Sequence, residues 1–225
     1  MQNVYVKAWA SLAAFALAVG AAVFWPAGTT QYWQGWLFLA VFLGASIATV
    51  VDLMMHDPAL LSRRLKGGPT AEKQAAQRII MIFTAFCYVS IFAISGFDRR
   101  FEWSAVPWPA VLSGDALVLI GFYLVSRVYR ANTVASATID VEQNQKVIST
   151  GPYAIVRHPM YAGTLVYLAG IPAALGSYWG FVPFIVFIPF LIWRLLDEEQ
   201  LLSRALPGYE AYHAQVRWRL VPFLF

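Results

Sequence analysis

Four long stretches of this chain contain no ionisable side chain, and they restrict its fold more than any other feature. A helix that crosses the hydrocarbon core of a bilayer needs roughly 20 apolar residues. The stretches that approach or exceed this length are Ala8–Gln31, Tyr32–Val51, Ile79–Phe97 and Tyr161–Trp193. Only 12% of the 225 residues are charged, about half the share in soluble domains. The sequence therefore predicts an all-α, polytopic membrane protein.

Five to six membrane-spanning helices account for this pattern. The first four are expected near Trp9–Trp25, near Trp33–Val51, near Ile79–Phe97 and in a segment that ends at Ser126. Ser113-Gly114-Asp115 is typical of a helix start, with Ser113 as the cap. The run Ala116–Ser126 is too short to cross alone, so Trp108–Gly114 is also expected in or at the membrane.

Tyr161–Trp193 is too long for one crossing and short for two. As one straight helix it would measure on the order of 50 Å. Gly176 and Gly180 flank three residues in its middle, where a turn is expected. The last two helices are therefore predicted to form a short hairpin over residues 156–198.

The distribution of Lys and Arg predicts the orientation. With the N-terminus inside and six crossings, fourteen of the sixteen basic residues lie inside, and only Arg99 and Arg100 lie outside. Inside loops carry the excess of positive charge, so both termini are expected in the cytoplasm. The basic residues then act as a topology signal, and no nucleic-acid partner is predicted. The compact, Ala-rich chain favours a bacterial inner membrane.

Three polar segments share the predicted cytoplasmic face: Asp52–Arg78, Tyr129–His158 and Asp197–Phe225. The first is expected to contain an amphipathic interfacial helix around Leu60–Leu65, a turn at Gly67-Gly68-Pro69 and a second helix that starts at a capping-box-like Thr70–Lys73. The hairpin brings the other two segments together. We therefore expect N-terminal transmembrane helices over residues 1–128, with a loop at 52–78, and a second region over 129–225 that contains a cytoplasmic connector, the hairpin and the tail.

The richest cluster of special residues is Gly151–Gly163. Gly-Pro makes a turn, and His158-Pro159 starts a helix whose first N–H groups can bind a carboxylate or phosphate. Arg157 and His158 suit the same anion. By themselves, these two residues are equally compatible with anchoring a span at the interface.

A second cluster follows the hairpin. Arg194 and Glu198 are four residues apart and project from one helical face. Asp197, Glu198 and Glu199 are unusual at the end of a span, because a helix C-terminus prefers positive charge. The alternative is a solvated continuation of the last helix. The tyrosines of the tail are expected to pack on the cytoplasmic end of the hairpin.

The sequence contains no motif for a metal site or for a nucleotide-binding loop. The three histidines are far apart, and with the single Cys87 they form no recognisable metal site. No Walker loop and no G-x-G-x-x-G is present. A metal is therefore not predicted.

The sequence GPYAIVRHPMYAG, an apolar hairpin, Asp197-Glu198-Glu199 and a tail with V-R-W-R-L-V-P together resemble the isoprenylcysteine carboxyl methyltransferase family and its phospholipid methyltransferase relatives. The resemblance covers about residues 130–225. R-H-P-x-Y-x-G paired with E-E-x-x-L, from Glu198 to Leu202, is specific in combination.

The resemblance implies a catalytic region over residues 129–225, with S-adenosyl-L-methionine as methyl donor. The cofactor pocket would lie next to the hairpin on the cytoplasmic side, as would the active site, and it would not be a Rossmann fold. By motif position, the cofactor-binding residues would be Gln145, Lys146, Val147, Ile148, Tyr153, His158, Pro159, Met160, Tyr161 and Glu198. Arg194 matches the substrate-contacting arginine of the family, and Arg194 and Glu198 are the expected catalytic residues.

The acceptor implied is a lipophilic small molecule, a lipid or a prenylated compound, with an isoprenylcysteine-like carboxylate foremost and a phospholipid amine or a thiol as alternatives. Two other functions stay open. One is an NADPH-dependent sterol-type membrane reductase, whose R-H-P-N-Y-x-G-D element differs here by Met160 and Thr164. The other is a non-catalytic membrane binding protein.

Overall fold

A computed structural model describes residues 2–67, 75–133 and 146–225. Within them the chain forms eight α-helices and no β-strand: α1 (Gln2–Ala27), α2 (Trp33–His56), α3 (Pro58–Arg64), α4 (Ala75–Phe101), α5 (Trp108–Ala131), α6 (Pro159–Ala174), α7 (Phe181–Ala205) and α8 (Tyr209–Gln215). A single 3-10 turn, Gly151–Ala154, precedes α6. The predicted all-α class is confirmed.

Four of the described helices, α1, α2, α4 and α5, are long and apolar enough to cross a membrane. The other two long helices differ from them. α6 has only 16 residues, and α7 contains Arg194, Asp197 and Glu198 among its 25 residues. The predicted number of five to six spans is therefore not confirmed.

The long helices alternate in direction, so the molecule has two distinct ends. At the first, which we call the site end, Arg130 Nη2 lies 3.0 Å from Asp52 Oδ1 and joins α5 to α2. At the opposite end, the buried Asp98 accepts a hydrogen bond from Ser104 Oγ at 2.6 Å and another from Ser177 Oγ. Six exposed tryptophans lie around that opposite end, as an aromatic belt would: Trp25 and the five predicted ones, Trp33, Trp36, Trp103, Trp108 and Trp179.

Glycines allow α5 and α6 to pack with their backbones in close contact. Gly114 and Gly121 of α5 face Gly170 and Gly163 of α6, in antiparallel order. A Cβ added to Gly114 would lie 2.2 Å from the backbone nitrogen of Ala174. Small residues permit this approach between membrane helices, where van der Waals packing drives association.

The predicted hairpin needs correction in its packing and its limits. Its turn lies between α6 and α7 as expected, with Gly176 at φ +66°. However, α6 packs mainly on α5, and α7 packs mainly on α4. α7 also continues through the acidic residues to Ala205 instead of ending near residue 198.

The predicted helix start at Ser113 is wrong. α5 begins at Trp108, with Pro109 in its first turn, and Ser113 Oγ donates to the carbonyl of Pro109 at 2.8 Å inside the helix. An N-terminal proline is a stronger start signal than an internal serine, because its missing N–H costs nothing there.

The interfacial helix expected around Leu60–Leu65 is present as α3. Asp57 caps it by accepting a hydrogen bond from Leu60 N at 2.8 Å, and Pro58 occupies its first position. Leu60 and Leu61 are buried against the start of α1 and the end of α2. Gly68, Pro69 and the capping box Thr70–Lys73 lie outside the described residues.

Candidate active site

A cavity of about 610 Å³ opens inside the site end of the molecule. Small-molecule sites typically measure roughly 300–1,000 Å³. Ten of the eleven site residues predicted from the sequence line this one cavity: Lys146, Val147, Ile148, Tyr153, His158, Pro159, Met160, Tyr161, Arg194 and Glu198. The eleventh, Gln145, lies outside the described residues.

The cavity has a polar part and an apolar part. The predicted site residues form the polar part, with Arg64, Tyr209 and Tyr212 beside them. The apolar part lies between the long helices and is lined by Phe15, Phe42, Phe122, Leu168, Phe187 and Leu191. A single ligand with a polar and an apolar portion matches this division.

Glu199 is the centre of a buried ionic network beside the cavity. Its Oε1 accepts from Arg157 Nε at 2.7 Å and lies 3.2 Å from His158 Nε2, and its Oε2 accepts from Arg219 Nε at 3.0 Å. Burial by itself would raise the pKa of the Glu199 carboxyl, but the hydrogen bonds from His158, Arg157 and Arg219 outweigh burial and hold the pKa well below its usual range.

The same network attaches the C-terminal tail to the start of α6. Arg157 Nη1 donates to the carbonyls of Val216 and Arg217 at 2.8 and 2.9 Å. The backbone N–H groups of Arg157 and His158 donate to the carbonyls of Trp218 and Arg219. The guanidinium of Arg157 therefore contacts Glu199 and the tail, and Arg157 also lines the cavity. The expectation that it suits an anionic ligand stays a prediction.

The phenol of Tyr161 hydrogen-bonds to two other predicted site residues, Glu198 and Arg194. Tyr161 Oη donates to Glu198 Oε2 at 2.6 Å and accepts from Arg194 Nε at 3.2 Å. The ring of His158 stacks on that of Tyr161, with centroids 5.7 Å apart. The structure therefore brings residues at the start of α6 into direct contact with residues near the end of α7, at the cavity wall.

Tyr153 is held from two sides. Asn132 Nδ2 donates to its hydroxyl at 2.9 Å, and Tyr212 Oη donates to its carbonyl at 2.9 Å. Burial raises the pKa of Tyr153, so the phenol stays neutral at physiological pH. Tyr209, Tyr212 and Val216 pack together against it, so the tail packs as predicted and also contributes to the cavity wall.

Several residues that line the cavity or contact its lining were not predicted from the sequence. Arg64 reaches the cavity from α3, with its guanidinium 5.4 Å from the centroid of the Tyr129 ring. Gln77, at the start of α4, contacts Arg194. Both precede the motifs by more than seventy residues, and no local pattern distinguishes them from ordinary interface residues.

Residues 109–207 match the family model of the phospholipid methyltransferases. This family includes the isoprenylcysteine carboxyl methyltransferases. The match is a segment-level resemblance that runs from the start of α5 to just beyond α7, whereas the sequence motifs suggested about 130–225. No curated protein gives a significant match to the chain.

The matched segment contains both halves of the predicted motif pair, from Arg157-His158-Pro159 to Glu198-Glu199. This resemblance and the four apolar helices of spanning length together support a membrane methyltransferase. Gln77, Arg64 and Arg219 lie outside the segment but contact its residues or line the same cavity.

Proposed function

We propose that this protein is an integral membrane methyltransferase that uses S-adenosyl-L-methionine and methylates a carboxylate on a lipophilic, isoprenylcysteine-like acceptor. One observation carries the proposal: a single cavity joins the predicted donor residues and Arg194 to an apolar zone between the membrane helices. In this proposal the site end and both termini face the cytoplasm of a bacterial inner membrane.

The polar part of the cavity suits the donor. Glu198 can accept hydrogen bonds from a ribose or an ammonium group. The N–H groups of Met160 and Tyr161 follow Pro159 in the first turn of α6, where no helix carbonyl is available to them, and they suit a carboxylate. Tyr153 and residues 145–148 would contact the remainder of the donor. His158, beside Tyr161, would also contact the donor. The bound donor supplies a methyl group on a sulfonium, which is transferred by in-line displacement.

Arg194 would bind the acceptor. It is 6% exposed and lines the cavity, and Tyr161 and Gln77 hold two of its nitrogens. A guanidinium binds a carboxylate by a two-point contact. A carboxylate also needs no proton removed before methylation, so the residues contribute positioning and exclusion of water.

The charges of the lining favour an anionic acceptor over an amine. Arg64, Lys146 and Arg194 are cationic, whereas Glu198 is the one acidic residue among the described lining residues. A protonated amine would meet repulsion from these cations, and a carboxylate would be attracted. The apolar part of the cavity would take the hydrocarbon portion of the acceptor from the bilayer.

Binding measurements test the class of cofactor. We expect the full-length protein in lipid nanodiscs to bind S-adenosylhomocysteine in calorimetry and not to bind NADPH. Binding of NADPH alone would support the reductase, and binding of neither would support a non-catalytic protein.

Transfer from a methyl-tritiated donor tests the acceptor. We expect label in N-acetyl-S-farnesylcysteine and not in phosphatidylethanolamine. The Arg194→Ala variant should lose about 100-fold in kcat/KM while S-adenosylhomocysteine still binds, because a buried charge-assisted contact to the acceptor is removed. The exposed Arg204→Ala, in the last turn of the same helix, is the matched control. Full turnover of Arg194→Ala with normal acceptor affinity would remove Arg194 from the mechanism.

A further inference from the structure

Gln77 is a polar side chain with no exposure to solvent, at the start of α4. It lies outside the segment that matches the methyltransferase family. A buried amide costs free energy unless its oxygen and nitrogen both find partners. The partners of Gln77 therefore indicate what the residue does.

Both halves of the amide contact α7. Gln77 Oε1 accepts a hydrogen bond from Arg194 Nη1 at 2.9 Å, and Gln77 Nε2 donates to Asp197 Oδ2. The chemistry of the two partners fixes the orientation of the amide, since a guanidinium only donates and an ionised carboxylate only accepts. The reverse orientation would place donor against donor and acceptor against acceptor.

The amide of Gln77 links Arg194 and Asp197, which could otherwise form an ion pair with each other. Arg194 and Asp197 are three apart on α7, the spacing at which opposite charges pair on a helix. Gln77 bridges them with a neutral group, which can orient a guanidinium without cancelling its charge. A carboxylate at the same place would compete with an anionic acceptor for Arg194.

An aromatic stack joins the same two helices near this bridge. Phe83 of α4 and Phe190 of α7 stack with centroids 4.9 Å apart and planes 3° from parallel. This stack lies close to the Gln77–Arg194 contact along both helices. The position of the amide relative to Arg194 is therefore set by packing as well as by hydrogen bonds.

We propose that Gln77 is a positioning residue that presents Arg194 to an anionic acceptor and keeps the charge of the guanidinium available. The inference rests on the proposed function, because it assigns Arg194 to acceptor binding. It assigns no contact between Gln77 and the methyl donor. The acceptor site would then depend on α4, which the family match does not include.

Two substitutions test the proposal. Gln77→Met keeps the length of the side chain and removes both hydrogen bonds, and Gln77→Glu keeps an acceptor for Arg194 but adds a charge. Gln34→Met, at the opposite end beside Gly176, is the matched control. Each protein is assayed in nanodiscs for methylation of N-acetyl-S-farnesylcysteine, for binding of that compound and for the affinity of S-adenosylhomocysteine.

For Gln77→Met we expect the KM and the dissociation constant of N-acetyl-S-farnesylcysteine to rise about tenfold, as one hydrogen bond to a charged group predicts. The affinity for S-adenosylhomocysteine should stay within about twofold. Gln77→Glu should raise the KM at least as much, because its carboxylate pairs with Arg194 and faces Asp197. Gln34→Met should match the wild type.

The outcomes distinguish a failure of the proposed function from a failure of the role inferred for Gln77. A wild-type protein that binds neither S-adenosylhomocysteine nor the farnesylated carboxylate would overturn the proposed function and this inference together. A normal wild type with an unchanged KM in Gln77→Met would overturn the inference alone. So would wild-type behaviour of Gln77→Glu, or an equal loss of donor and acceptor affinity in both variants. If Gln77→Met does not fold, Gln77→Glu decides.

Discussion

Two adjacent glutamates of α7 face different surroundings. Successive residues of an α-helix differ in direction by about 100°. Glu198 lines the cavity and accepts from Tyr161, whereas Glu199 accepts from Arg157 and Arg219 behind the cavity wall. At the scale of single residues, the first belongs to the proposed chemistry, and the second holds the tail in place.

Glu199→Gln should destabilise the protein without a direct effect on the reacting groups. Removing the charge leaves Arg157 buried without its anion, which costs roughly 3 kcal/mol. We expect a lower Tm in detergent micelles. The exposed Glu210→Gln of α8 is the control, and equal Tm values for the two variants would contradict this role.

The contribution of Glu199 should also depend on pH. Its pKa in the folded protein is held below the ordinary value of 4.5, so the unfolded chain binds the proton first as the pH falls. The stabilisation is fully present above pH 4.5 and decreases below it. The Tm difference between wild type and Glu199→Gln should therefore be constant from pH 7 to 6 and shrink below pH 4.5. A difference that grows on acidification would refute this assignment.

Asp115 is a second buried carboxyl with a different environment. It is 5% exposed, and neither carboxyl oxygen has a hydrogen-bond partner among the described residues. Replacing an unpaired buried polar group by an apolar one of similar size removes its desolvation cost. Asp115→Leu should therefore raise the free energy of unfolding by about 1 kcal/mol. A lower Tm would show that the carboxyl has a stabilising partner.

At the scale of elements, the contact between α5 and α6 determines the position of the start of α6 at the site end. The paired glycines let the two backbones approach, and Tyr161 and His158 then project from the start of α6 toward α7. This glycine contact between α5 and α6, which we call the seam, therefore determines which cavity wall these side chains reach.

Alanine at this seam should be costly. A methyl group on Gly114 would overlap the backbone of Ala174, and on Gly121 it would lie 2.5 Å from the backbone nitrogen of Tyr167. Neither neighbour can rotate away, so each substitution should cost at least about 2 kcal/mol. Gly44→Ala of α2 is the control, since nothing lies within 4 Å of its added methyl. There we expect a gain of up to about 1 kcal/mol from helix propensity. Equal Tm values for the variants would argue against backbone contact at the seam.

At the scale of the whole molecule, the cavity takes its walls from both halves of the chain. α1, α2 and α4 contribute lining residues together with α5, α6, α7 and the tail. The predicted division into residues 1–128 and 129–225 stays a prediction, but the proposed chemistry depends on both parts.

The orientation in the membrane can be tested with single cysteines. In a chain with Cys87→Ala, Lys7→Cys lies at the site end and Glu102→Cys at the opposite end, and both positions are exposed. The excess of positive charge at the site end predicts that it stays inside. A membrane-impermeant maleimide should label Glu102→Cys in intact bacterial cells, and Lys7→Cys only after lysis. The reverse pattern would invert the proposed topology.

The site was predictable where residues close in sequence act together. Tyr153, His158 and Tyr161 follow one turn and one helix start, and Arg194 and Glu198 share one helical face. The family resemblance assigned these residues to one site, because its motifs are local in the sequence. Gln77 and Arg64 could not be predicted in this way, because their roles depend on which distant helix lies beside them.

The sequence alone predicted that the chain is helical and has stretches apolar enough to cross a membrane, and the family resemblance predicted the motif residues that line one cavity. Hydrophobic length and helical spacing are local properties, and they are visible in the order of residues. Only the tertiary structure decided that α6 packs on α5, that Arg157 contacts Glu199 and the tail, and that Gln77 bridges Arg194 and Asp197. Those outcomes depend on backbone approach and on the pairing of buried polar groups across the molecule, which no single segment specifies.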